Sequence, residues 1–224
     1  MLKRGQISVF VIIGIVIAAI IVTSFYLSQK SSEANRKSEL AEISQLPLEL
    51  QQEKEKIEDC LSEVVQEATI TIGVNGGYIT NEPEKTVNYL GNNVAYLESV
   101  SKERIESELE NYVRNNFGRC KNNAEVDDAN AVIEDNRIVM EAEMPVTLEI
   151  ESSSAKISFF KSETELKLGR MLNIIENLRN DINCVTCLMD ETEKNEMKAT
   201  INILDNAKII VIEDVNYAFG FAAD

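Results

Sequence analysis

The chain has 224 residues, with 22 Lys and Arg against 38 Asp and Glu, and neither histidine nor tryptophan. A formal net charge of −16, with basic residues gathered only at Lys30–Lys37, excludes a counterion-releasing nucleic-acid surface. Without histidine no Ser-His-Asp or Cys-His dyad can form, and no imidazole is available to a metal.

The opening MLKRGQISVFVIIGIVIAAIIVTSFYLSQK carries charge only at Lys3, Arg4 and Lys30. A helix over residues 7–27 would be about 31 Å long, the thickness of a bilayer's hydrocarbon core. It has no polar stripe, so the expectation is a transmembrane helix over 6–28 with the lipid bilayer as its partner. An ordinary cleaved signal has a shorter apolar run, about 7 to 15 residues, and small residues at its far end. Here Phe25-Tyr26-Leu27 stands there instead, and Tyr26 suits a membrane interface. Lys3 and Arg4 favour residues 1–5 as a cytoplasmic leader, although Lys30, Arg36 and Lys37 follow the span. That orientation places a polar stalk at 29–47 and a domain at 48–224 outside the cell. The acidic surface of the domain reads as a solvated face.

Leu40, Ile43 and Leu46 recur at spacing three, so the anchor helix is expected to run into the stalk until Pro47 stops it. Leu50, Ile57, Leu61, Val64, Val65, Ala68 and Ile72 then mark an amphipathic helix over 48–72. The run Gly73-Val-Asn-Gly-Gly77 ends that helix, so it reads as a cap and turn and not as a phosphate cradle. Residues 78–97 look extended. A second helix is expected from the Ser101 cap to Gly118, with Ile105, Leu109, Tyr112, Val113 and Phe117 inward.

Period-two alternation predicts a hairpin over 131–150, turning at Glu134–Arg137, with Met140, Ala142 and Met144 on one face. A third strand at 156–166, a helix at 168–182 and strands near 200–204, 208–213 and 217–221 complete the chain. Strands come in runs, not in alternation with helices. The expected fold class is therefore α+β: an N-terminal transmembrane helix, then an ectodomain whose mostly antiparallel sheet is packed by about three helices.

Four cysteines carry the sharpest chemistry. In an oxidising exterior an even count reads as disulfides, with Cys60–Cys120 and Cys184–Cys187 the natural pairing and two other connectivities open. A four-cysteine zinc site and a C-x-x-C redox pair are the alternatives. The redox reading normally needs the motif to open a helix, and Cys184 is expected to follow one and to gain no helix N-terminus. Asp127-Asp128 and Asp190-Glu191 are the acidic pairs that calcium could contact. No nucleotide-binding loop, EF-hand, N-glycosylation site or catalytic motif occurs, so no enzyme activity, cofactor or metal is expected.

Lys3-Arg4-Gly5-Gln6-Ile7 and the apolar helix behind it resemble the class III leader of archaeal type IV prepilins and archaellins. The resemblance implies cleavage between Gly5 and Gln6 and a helix freed to pack into a filament. Phe10 stands where many type IV pilins carry a Glu. Over a longer stretch, the Arg4-Gly5-Gln6 start, Gly76–Ile79 (GGYI), Val94–Leu97 (VAYL), the IESELENYVRNN helix and the closing YAFGF are similar to single-pass surface proteins of small symbiotic (DPANN-type) archaea. These imply a membrane-anchored cell-surface protein with a structural or adhesive role, as a pilin-like subunit where the leader is cut. The partners would then be further copies or other surface proteins. The alternative is a monomeric anchored ectodomain that binds an extracellular ligand or partner protein.

Overall fold

The computed structural model describes residues 47–150, 153–179, 184–204 and 207–224. The leader with its Gly5–Gln6 bond, the predicted span and the stalk before Pro47 lie outside the described residues. Among the described residues no helix is long and apolar enough to cross a membrane.

The domain is α+β, with four α-helices and three antiparallel sheets among the described residues. The order begins with α1 (Leu48–Asn75), β1 (Thr86–Tyr89), β2 (Asn92–Ala95) and α2 (Lys102–Asn116). It continues with β3 (Asp128–Ile133), β4 (Arg137–Ile150), β5 (Ser153–Glu165) and α3 (Leu168–Leu178). It closes with α4 (Val185–Lys194), β6 (Lys198–Leu204), β7 (Ala207–Glu213) and β8 (Ala218–Ala223). One sheet was expected; instead β1–β2, β3–β4–β5 and β6–β7–β8 are separate. Each pairs only sequence neighbours, which short connections favour. About three helices were expected, and α4 is the addition.

The first helix organises the core. Its inward stripe, Leu50, Ile57, Leu61, Val64, Val65, Ala68 and Ile72, is buried as the periodicity predicts. It packs against β4 and β5 on one meander, against β8 on the other, and against α2. The helix runs through Gly73, which the sequence assigned to the terminating turn. A Cβ at Gly73 would lie 2.4 Å from the Ala218 carbonyl oxygen, so this glycine permits close approach to β8. Termination falls to Gly76 (φ +76°) and Gly77 (φ +102°), and the Gly77 amide donates back to the Ile72 carbonyl at 2.8 Å.

Around this helix the meanders follow their alternation. Ala129, Ala131 and Ile133 of β3 and Ile138, Met140, Ala142, Met144, Val146 and Leu148 of β4 are buried. Pro145 sits in a central strand, where it cannot donate to a ladder, and the pairing of β4 with β5 shifts register there, between Glu143 and Val146. Ser101 caps α2 as expected, its hydroxyl accepting from the Arg104 amide at 3.2 Å. In the last meander Ala207, Ile209 and Ala222 cluster with Tyr96, and Val87 and Tyr89 of the β1–β2 hairpin pack against them. Ile210, Ile212, Phe219 and Phe221 alternate onto the other face and are also buried. Both faces of that sheet are therefore covered.

Acidic residues on the helices do structural work at the sheet edges. Glu106 and Glu110 of α2 accept from the Ile133 and Ala131 amides of edge strand β3, at 2.9 and 3.2 Å. Glu58 of α1 accepts from the Lys161 amide of the opposite edge strand, β5, at 3.0 Å. Three edge N–H groups that could recruit another strand, those of Ala131, Ile133 and Lys161, are thus occupied by carboxylates.

Candidate functional site

Both expected disulfides are present. Cys60 on α1 joins Cys120, the last residue of a 3₁₀ turn (Phe117–Cys120) that follows α2, with Cα atoms 5.9 Å apart and a sequence separation of 60. Closing so long a loop stabilises by about 4 kcal/mol in the chain-entropy account. Beside it, the Arg119 guanidinium donates to Glu67 of α1 at 2.6 Å and Tyr112 donates to the same carboxylate at 3.2 Å. The Arg119 hydrogen bond holds the Glu67 carboxyl below its ordinary value. This corner is a covalent and ionic tie between α1 and the end of α2.

The second disulfide has another character. Cys184 and Cys187 are three residues apart, with Cα atoms 5.2 Å apart. Cys184 does come after a helix, but the expectation that it gains no helix N-terminus is corrected here. The preceding helix stops at Leu178 instead of Ile182, and Cys184 is the N-cap of α4. The Cys187 amide donates to Cys184 Sγ at 3.2 Å, where a capping oxygen would normally sit. A loop this short contributes only about 2 kcal/mol by the same account. With the four sulfurs joined in two bonds, they do not form a zinc centre in this structure.

The acidic pairs do not converge on a cation. Asp128 Oδ1 takes the Arg114 guanidinium at 3.1 Å, and Glu191 pairs with Lys194 at 2.9 Å. Among the described residues no group of three or more His, Cys, Asp or Glu is placed to hold a metal.

One buried carboxylate escaped the sequence reading. Glu108 lies on the inward face of α2, 2% exposed, between Ile105 and Leu109. It accepts from the amides of Ile79, Thr80 and Asn81 at 3.0, 2.9 and 3.2 Å, from the Thr80 hydroxyl at 3.1 Å and from the Asn81 side-chain amide at 2.7 Å. Burial pushes this carboxyl up, but the bonds from the Thr80 amide, Asn81 side chain and Ile79 amide outweigh it, leaving it below its ordinary value. Arg104 one turn earlier donates to the Asn81 carbonyl. The signal was a charged residue at a core position of the helical stripe; its target loop could not be read locally.

Two open cavities of about 570 and 400 Å³ share Glu165, Leu166 and Asn216, at the ends of β5 and of the β7–β8 turn. Their charges are largely spoken for: Arg137 pairs with Glu134 at 2.6 Å and Glu163 at 2.8 Å, and Asp214 accepts from the Asn216 and Tyr217 amides at 2.9 Å each. Ser62 and Gln66 of α1 add neutral polar groups to the smaller cavity. The arrangement offers hydroxyl, amide and carboxylate groups without a nucleophile–base pair.

No protein-family model, no curated protein and no solved structure matches the chain significantly. Fold and site define an α+β protein of three antiparallel meanders and hairpins around one long helix, cross-linked by two disulfides.

Proposed function

We propose that this chain is a membrane-anchored cell-surface protein of archaeal type, with residues 6–28 in the bilayer and residues 48–224 outside the cell in a structural or adhesive role. The observation that carries the reading is the uncharged apolar run over 7–27 placed ahead of a domain whose four cysteines are all paired. Disulfides persist in oxidising compartments, and a positive leader holds its own end in the cytoplasm. The carboxylate-capped edges of the β3–β4–β5 sheet suit a domain that stands crowded among copies of itself without strand-to-strand aggregation. Where the Gly5–Gln6 bond is cut, the helix becomes free to build a filament as a type IV pilin subunit does.

The test is topological. The full chain in cell membranes should resist alkaline extraction, and protease added to intact cells should digest residues 48–224. A chain released by alkaline washing, or protected from external protease, overturns the anchor. Intact mass then separates the two forms: loss of residues 1–5 accompanies filaments, and retained Met1 leaves a single-pass anchor. The second reading, a monomeric binding module, is favoured by the polar double cavity at Glu165 and Asn216. It predicts ligand-dependent protection of that turn from hydrogen exchange, in protein that sediments as a monomer.

A further inference from the structure

We propose that Cys184 and Cys187 form an exchangeable dithiol–disulfide site, attacked first at Cys187 Sγ, while Cys60–Cys120 is the permanent cross-link. Four observations converge on it. The motif C-V-T-C opens a ten-residue helix, with its first cysteine at the cap. An N-terminal helical position favours the thiolate form of that cysteine, because the free amides and the axial dipole face it. A specific donor is already in place, since the Cys187 amide points at Cys184 Sγ from 3.2 Å, and the Thr186 hydroxyl lies 3.5 Å from the same sulfur. Access is open: Cys187 is exposed, Cys184 half-buried, and the neighbouring Val185 and Met189 are 49% and 40% exposed.

The bond also spans too short a loop to be needed for holding distant elements together, in contrast to the 60-residue span of the other pair. A cross-link that contributes little to the fold, is exposed and has a stabilised leaving group is suited to exchange, not to permanence.

The chemistry balances with a dithiol as the reductant. Its thiolate attacks Cys187 Sγ, forming a mixed disulfide and breaking the Cys184–Cys187 bond. The electron pair leaves on Cys184, where the Cys187 amide and the α4 N-terminus receive the charge. The second thiol of the reductant, deprotonated, then attacks its own half of the mixed disulfide and releases Cys187 as thiolate. The reductant becomes a disulfide, two electrons pass to the protein, and both cysteine thiolates take up protons from water. In reverse, the reduced pair delivers two electrons to a disulfide.

The test uses the full chain, natively folded in detergent and treated with dithiothreitol, with timed alkylation and peptide mass mapping. Cys184 and Cys187 should become alkylated at least about tenfold faster than Cys60 and Cys120. Equal rates for the two pairs, or a Cys184–Cys187 bond that yields only in denaturant, overturn the proposal. Single-thiol variants test the assigned leaving group. With Cys187→Ser, the remaining Cys184 should react with iodoacetamide at neutral pH at least about threefold faster than Cys187 does with Cys184→Ser, because the helix N-terminus favours its thiolate. Equal reactivity in the two variants overturns it, because the cap would then give Cys184 no advantage.

Discussion

Glu108 ties the 79–81 loop to α2 through five accepted hydrogen bonds. Its carboxylate holds three consecutive amides and two side chains of the 79–81 loop while buried against the core. Replacing it by Ala leaves those donors without their acceptor, and should lower unfolding stability by about 3 kcal/mol, read from urea melts. Its carboxyl is depressed in the folded state from an ordinary 4.5. The folded protein therefore binds the proton less well than the unfolded chain. This contribution is complete above that ordinary value and lost as pH falls through the folded value. Glu108→Gln should lose less stability than the parent on acidification below that value; parallel losses would assign the acid sensitivity elsewhere. Gly73 sets the opposite kind of constraint, one of space. Ala is the better helix former by about 1 kcal/mol, yet its Cβ would stand 2.4 Å from the Ala218 carbonyl. Gly73→Ala should therefore destabilise by about 2 kcal/mol, and a gain in melting temperature would refute the close packing of α1 on β8.

Elements are joined here by ties of very different strength. Cys60→Ala with Cys120→Ala removes a long-range closure between α1 and the end of α2 and should cost about 4 kcal/mol, measured by denaturant unfolding. Cys184→Ser with Cys187→Ser removes a three-residue closure and should cost no more than about 2 kcal/mol. A reversal of that order would mean that α4 depends on its disulfide for more than local geometry. The sheet edges provide an element-level test as well. Glu106→Ala with Glu110→Ala frees the Ile133 and Ala131 amides of β3 and should cost about 2 kcal/mol. The same variant should aggregate at lower concentration than the parent in light scattering, since an uncapped edge can pair with another chain. What was legible at this scale were elements whose pattern is dense. The seven-residue stripe of α1 and the strict alternation of β4 could be assigned from the chain. The helix α4 could not, because only Leu188 and Thr192 are buried along its ten residues, too sparse a beat to register.

For the whole molecule, net charge decides the response to salt. The exposed ion pairs each contribute little in water, while a charge of −16 on 224 residues repels itself in the compact state. Screening should therefore raise the melting temperature as monovalent salt increases, observed by calorimetry on the full chain. A fall would mean that ion pairs such as Arg119–Glu67 outweigh the repulsion. The solvated acidic face inferred from composition needs refinement at this scale. Part of that charge, at Glu58, Glu106, Glu108 and Glu110, is committed to backbone amides inside the fold.

The sequence by itself determined what short-range pattern can encode. That comprises an uncharged apolar run of bilayer length, the inward stripe of α1, the apolar part of the α2 stripe at Ile105, Leu109 and Val113, the existence of a turn after Ile133 and an even set of cysteines. Tertiary structure alone decided which distant groups meet. It split the strands into three sheets, set α1 between two of them, brought Glu108 to the 79–81 loop and put Cys184 at the head of a helix. The physical reason is that periodicity records which face of an element is buried. The identity of the surface that buries it depends on packing among residues tens to hundreds of positions apart.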